Sequence, residues 1–337
     1  MKKTGFRIAC IAALAAIAVS TAAEAKMKRI TIGSNRQGSV FYLLSSTFAK
    51  VLQQNLKMRA TAQPHAGSTV YLSVVNKGEM TLGLNNSMDS GAAVRGGAPF
   101  KKKLKNIRAI AMVWTIFYGF MVKANSGIKS ISALKGKKVV TATGPIVSLS
   151  NLNIAYLHSG GISVKDVIAM KSGGIVDNIN KVAEGRADAA PGAPGMPVVR
   201  KTHATVPGGL RFLPLGAGGT DAFLAREVPG AKSKVMNNSK RMPFFKGPTR
   251  IAAFDAYLNA GKQVSSEDAY KIIKVLHSQW KNMQKSVGPL RPLHMNKIAP
   301  PTNPHPYHPG VVKYLKEKGL WSDANEKNQR AVLAEIK

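Results

Sequence analysis

Twice in its first eighty residues the chain runs from a short apolar strand through a glycine-bearing polar loop directly into a helix. The two passages are "ITIGSNRQGSVFY" and "ATAQPHAGSTVY". From Ser39 the apolar residues Val40, Leu44, Phe48, Val51 and Leu52 recur at helical spacing, with Ser39 placed as the N-cap. The second helix starts at Ser68, carries Tyr71, Leu72, Val74 and Val75, and stops at Gly78 before the strand-like "MTLGLNN". Repeated strand–loop–helix units restrict the fold to sheets with helices packed on them. Such a loop also turns backbone N–H groups and the positive end of a helix dipole toward one point, which suits a carboxylate or phosphate. Neither loop has the spacing of a Walker loop or a dinucleotide fingerprint, so nucleotide binding is disfavoured. Taken alone, each loop is either an anion site or a tight connection.

The pattern returns further along. "KKVVTATGP" leads into a helix near Ser148 to His158, "DVIAM" reads as a strand, and a helix with Ile175, Ile179 and Val182 stops at Gly185 before "ADAAPG". "VVNKGEMTLGLNN" and "KVAEGRADAAPGA" share one order of features: helix end, glycine, charged pair, short apolar strand, loop. Two βα-type domains of related build are expected, with crossovers near "IRAIAMVW" and "RFLPL".

Residues 1–25 read as a removable leader. Lys2, Lys3 and Arg7 precede the apolar "IACIAALAAIAV", which is too short to span a bilayer, and "AEA" supplies an A-x-A cleavage signal ahead of Lys26. Cleavage would remove Cys10, the one cysteine, excluding disulfides, thiolate metal sites and cysteine nucleophiles. No later stretch offers a membrane span, since "IRAIAMVWTIFYGFMV" is broken by Arg108 and Gly119. The remaining 312 residues have ample length for two domains. Their formal charge falls only from +33 to +31. So large a charge raises nucleic acid as a partner, but the lysines are scattered and the dense run "KKKLK" carries no interleaved aromatics. A solvated basic surface is the simpler reading.

The runs "ITIGSNRQGSVFYLLSSTFAKVL" and "AGSTVYLSVVNKGEMTLGLNNSMDSGAAVRG" resemble the amino-terminal half of the TAXI-type solute-binding proteins of TRAP transporters. "SISALKGKKVVTATGP" through "INKVAEGRADAAPGAPGMP" and the late "PHPYHPGVVKYLKEKGLW" are similar to that family's second domain and closing helix. The resemblance implies a type II-like, two-domain α/β periplasmic binding protein with its ligand cleft between the domains. Residues 26–115 would open the first domain, 116–215 form the second, and 216–337 return to the first and end in helices. It implies further a periplasmic, monomeric protein without cofactor or metal that closes on a small organic anion and passes it to a permease driven by an ion gradient.

The implied ligand set falls in four places. Asn35, Arg36, Ser39, Phe41 and Tyr42 lie on the first loop, His65, Ser68 and Thr69 on the second. Asn86 ends a strand, and Thr143, Gly144, Ser148 and Ala193 belong to the second domain. Several positions depart from the family pattern. Arg36 and Ser39 stand where glycine is usual, Tyr71 replaces an asparagine, Asn86 a glutamine, and Met88 falls where the family has an aspartate. Loss of that acid beside a gained arginine points to a mono- or dicarboxylate, with an apolar part near Tyr71 and Met88.

Each residue also has a plainer reading. Arg36 either meets the ligand or projects into solvent; Tyr42 and Tyr71 either line the cleft or sit in the core. Ser68 reads as a helix cap, and no acidic partner near His65 supports a nucleophilic pair. His305 and His308, set among prolines, lack a third metal ligand nearby. A secreted hydrolase is disfavoured because no compact catalytic constellation appears. A sensory subunit that presents its ligand to a receptor is not distinguished from a transport subunit.

Overall fold

In the computed structural model residues 27–337 are described, apart from positions 38, 66 and 145; residues 1–25, expected to be a leader, lie outside them. The chain opens with β1 (Arg29–Asn35), α1 (Val40–Leu56), β2 (Arg59–His65), α2 (Ser68–Lys77), β3 (Leu82–Asn86) and α3 (Ser87–Arg95). β1 pairs in parallel with both β2 and β3, so α1 and α2 serve as the crossovers that parallel pairing requires. The glycines of these strands make room for a core side chain. A Cβ at Gly33 would stand 2.9 Å from the Tyr71 Cβ, and one at Gly83 would stand 3.1 Å from the Tyr71 ring. Tyr71 is therefore a core aromatic, its hydroxyl donating to the Leu84 carbonyl, and Met88 is buried as well. Tyr71 also lies against Ser68, Asp89 and His65.

Next come β4 (Ile107–Lys123), β5 (Lys138–Thr143), α4 (Val147–Ser159), β6 (Ile168–Ser172), α5 (Ile175–Ala183), β7 (Ala190–Gly192), α6 (Pro197–Thr205) and β8 (Leu210–Phe212). α7 (Asp221–Glu227), β9 (Ala231–Met236) and β10 (Thr249–Gly261) follow. The main sheet runs β2-β1-β3-β10-β4-β7, with β8 added on β4 and β9 on β10. β5 and β6 form a parallel pair, joined to the strand region of β7 through a bridge between Val139 and Ala189.

β4 and β10 decide the layout. They run antiparallel from the Gly261–Ile107 pair to the Ala252–Tyr118 pair, with register shifts at Ala256/Tyr257 and Leu258/Asn259. One end of β10 pairs with β3 and the other with β9; the far end of β4 takes β7 and β8. The second crossing was expected near residues 211–215, but those residues stay beside the far end of β4, where Leu213 donates its N–H to the Phe120 carbonyl at 2.8 Å. β10 is the strand that returns.

The chain closes with α8 (Ser266–Ser286), α9 (Pro309–Glu317) and α10 (Asp323–Glu335). α8 packs on α1, where the Phe48 and Trp280 rings stack with centroids 6.4 Å apart. His305 and His308 are structural. The buried His305 ring donates from Nε2 to Asn259 Oδ1 at 2.5 Å, while His308 donates to the Val264 carbonyl at 2.8 Å and caps α9 by accepting from Gly310 N–H at 3.2 Å. No helix among the described residues is long and apolar enough to cross a membrane.

Candidate functional site

Four chain turns meet where β1, β2, β3 and β5 end. β1 finishes at Asn35, in register with His65 at the end of β2. Arg36 is exposed. Ser39 caps α1 as expected, its hydroxyl accepting from Tyr42 N–H at 3.1 Å. Phe41 is buried against Trp114 of β4 in an edge contact, centroids 6.5 Å apart, and Tyr42 is half-buried. Position 38, whose N–H was expected to help hold an anion, lies outside the described residues.

The second turn departs from the expected cap. Gly67 is the N-cap of α2 and makes no side-chain hydrogen bond, while Ser68 turns its hydroxyl to the Asp89 carboxylate. Thr69 is half-buried, its carbonyl accepting from Ser73 Oγ at 3.3 Å. His65 lies beside Tyr71 with ring centroids 5.8 Å apart, and its Nε2 is buried without a partner.

Asp89 is the residue that the sequence reading missed. An acid was expected one position earlier, at Met88, and its absence was taken to make the cleft more positive. Asp89 supplies that carboxylate from the first turn of α3, 2 % exposed, so the expected loss of an acidic group is overturned. Asn86 holds it from both sides: Oδ1 accepts from Asp89 N–H and Nδ2 donates to Asp89 Oδ2, each at 2.8 Å. Burial pushes the Asp89 carboxyl above its ordinary range, opposed by the hydroxyl and amide groups of Ser148, Ser68 and Asn86. A one-residue offset in a helix turns a side chain by about 100°, so a motif match that slips by one position points at the wrong face.

Ser148, in the first turn of α4, brings the distant strand group to Asp89; its Oγ is buried and makes no hydrogen bond of full geometry. Behind it, Thr143 Oγ1 accepts from both Asn153 Nδ2 and Asn178 Nδ2 at 3.2 Å. Asn178 also donates to the Pro191 carbonyl at 3.0 Å, which leaves its Oδ1 buried and unpartnered. Gly144, at φ +51°, donates its N–H to the Ser172 carbonyl, and a Cβ there would press on the Gly173 carbonyl at 2.9 Å. Ala193 is half-buried just past β7. Asn178 also escaped the sequence reading. Its signal was present in "GGIVDNIN", a second glycine loop entering a helix with a polar residue one turn inside.

Asn35, His65, Ser148 and Asn178 thus each bury a polar atom without a partner, two on the first strand group and two on the second. Buried polar atoms are ordinarily paired, and one left alone costs about 1–3 kcal/mol. A small molecule with hydrogen-bonding groups on several sides would satisfy them. No cluster of three or more histidine, cysteine or acidic side chains among the described residues is placed to hold a metal.

A sheet crossed by two long antiparallel strands, with polar turns from both strand groups meeting at its centre, is the fold of periplasmic solute-binding proteins. The chain is similar to PhnD1 from Prochlorococcus marinus, solved in complex with methylphosphonate: 15 % identity, 87 % of this chain and 99 % of that one, TM-score 0.52. It is likewise similar to a TctC solute-binding protein from Polaromonas, at 14 % identity over 91 % and 97 % of the two chains, TM-score 0.50. The chain belongs to the NMT1-like family, which it matches over residues 32–319.

Proposed function

We propose that this chain is a periplasmic solute-binding protein that captures a small organic anion and hands it to a membrane permease of the TRAP type. One observation carries the reading: polar atoms of Asn35, His65, Ser148 and Asn178, from both strand groups, are buried without partners, and Ser148 of the second group faces the Asp89 carboxyl of the first. The anion is a mono- or dicarboxylate that also bears a hydrogen-bond donor, a hydroxyl or an ammonium, for Asp89. The earlier reason for setting zwitterions aside, a missing acid, no longer holds. PhnD1 holds a small anion in the same fold, which supports this ligand size and charge.

The two strand groups act as domains 1 and 2, and β4 with β10 forms the hinge between them. Ligand favours closure because it contacts both groups, Asn35 and His65 on one side, Ser148 and Asn178 on the other. Flexing at the register shifts beside Trp114 and Met112 would move the groups while keeping the long strands paired. The protein is secreted through the leader at residues 1–25 and works as a monomer, without a cofactor.

The test is a melting screen of organic acids on protein freed of bound ligand, with native mass spectrometry of the protein as purified. A ligand at about a hundred times its dissociation constant adds roughly 2.7 kcal/mol, a clear rise in midpoint. A screen in which no organic acid moves the midpoint, beside a spectrum with no retained small molecule, would overturn the reading.

A further inference from the structure

A cavity of about 240 Å³ lies between the segment after β4, strand β8 and the loop that enters β10. Its wall includes Lys129, Arg211 and Lys246, with Phe212 and Thr249, and no acidic residue. Arg211 Nε is buried and has no partner, and none of these three cations belongs to an ion pair among the described residues. Thr249 spends its hydroxyl proton on the Gly247 carbonyl at 2.8 Å, which shapes the rim. The flanking sequence is one-sided: residues 228–254 hold six lysines and arginines and no aspartate or glutamate.

Three cations around one hollow repel each other, and a buried guanidinium N–H without an acceptor adds its own desolvation cost. An anion in the hollow would offset both. A guanidinium presents its donors as a planar fork that fits an oxyanion in two places, and two lysines nearby favour a dianion over a monoanion. We propose that this cavity is a binding site for a tetrahedral oxyanion, phosphate or sulfate, separate from the Asp89 site, with which it shares no lining residue. The proposal does not rest on the transport reading.

The experiment is calorimetric titration of the full chain with inorganic phosphate, sulfate, acetate and chloride at one ionic strength. Phosphate or sulfate binds one equivalent, and acetate and chloride bind at least about tenfold more weakly. Arg211→Gln and Lys246→Gln each weaken phosphate by about tenfold or more, the effect of one lost charge-assisted hydrogen bond. Asn86→Ala, at the other site, leaves phosphate affinity unchanged. Lys246 is exposed, so Lys246→Gln keeps the fold and remains decisive even where Arg211→Gln does not. Equal affinity for phosphate in wild type and Lys246→Gln, equal binding of acetate, or no saturable phosphate binding would each overturn the site.

Discussion

Asn86 and Asp89 form a closed pair at the start of α3: the amide oxygen of Asn86 accepts from Asp89 N–H at 2.8 Å while its amide nitrogen donates to Asp89 Oδ2 at 2.8 Å. One side chain thus caps a helix and orients the buried acid of the candidate site. Alanine at Asn86 removes both contacts, and denaturant unfolding should show a loss of about 1–2 kcal/mol, the upper range for a cap. A change below about 0.5 kcal/mol would mean that the pair is not holding the turn.

Asp89 itself should tolerate neutralisation. Burial disfavours its charged form, so Asp89→Asn keeps the shape and lifts that penalty. The melting midpoint at neutral pH should hold or rise. Affinity for the natural ligand should fall by about tenfold, one hydrogen bond to a charged group. Unaltered affinity would remove Asp89 from the ligand contacts.

Arg36 separates two readings of the first loop. It is exposed, so its charge acts through water. Arg36→Ala should leave the unfolding midpoint unmoved and weaken binding of a carboxylate by no more than about 1 kcal/mol, with the effect shrinking as salt rises. A loss of several kcal/mol in titration calorimetry would show that the loop folds this side chain onto the ligand.

His305 should make the protein acid-sensitive. Burial, followed by the charges of Arg108 and Arg95, holds its ring down at about 3, below the ordinary 6.5. The unfolded chain therefore takes up this proton first as pH falls. Stability from His305 is complete above about 6.5 and is lost on acidification toward 3, at up to about 1.4 kcal/mol per pH unit. Urea unfolding between pH 7 and 4 should show the decline, and His305→Gln should flatten it. An unchanged slope in the variant would assign the acid sensitivity elsewhere.

Gly230 and Gly127 test where a glycine is needed. Both have positive φ, +95° and +76°, yet a Cβ at Gly230 would stand 2.8 Å from the Ser87 carbonyl carbon, and one at Gly127 would meet nothing. Alanine at Gly127 should cost only the backbone strain, about 1–2 kcal/mol. Alanine at Gly230 should cost clearly more, because Ser87 is also tied to Gly230 by a 2.6 Å hydrogen bond to its carbonyl. Equal losses in thermal unfolding would show that α3 can shift at no cost.

Local rules carried the sequence reading a long way. The helices beginning at Val40 and Ser68, the Ser39 cap and the stop at Gly78 all followed from periodicity and end chemistry, which involve residues within a few positions of each other. The pairing of βα units also set the fold class, since helices with one apolar face must cover a sheet. Asn35, His65, Asn86 and Ser148 belonged to the ligand set that the family resemblance implied, and Asn86 also stood out as a polar residue ending an apolar strand.

Only the tertiary structure decided what those residues do. Ser68 reads as a cap from its neighbours, but Asp89, twenty-one positions on, draws its hydroxyl away. Asp89 was not singled out in the sequence, and only the fold brings Ser148 of α4 against it. The choice of β10 as the returning strand and the burial of His305 against Asn259 likewise depend on partners remote in the chain. Periodicity reports which face of an element is buried, whereas the identity of the group on the other side is set by packing between elements. For that reason the sequence determined the elements and their order, and the folded arrangement determined the site.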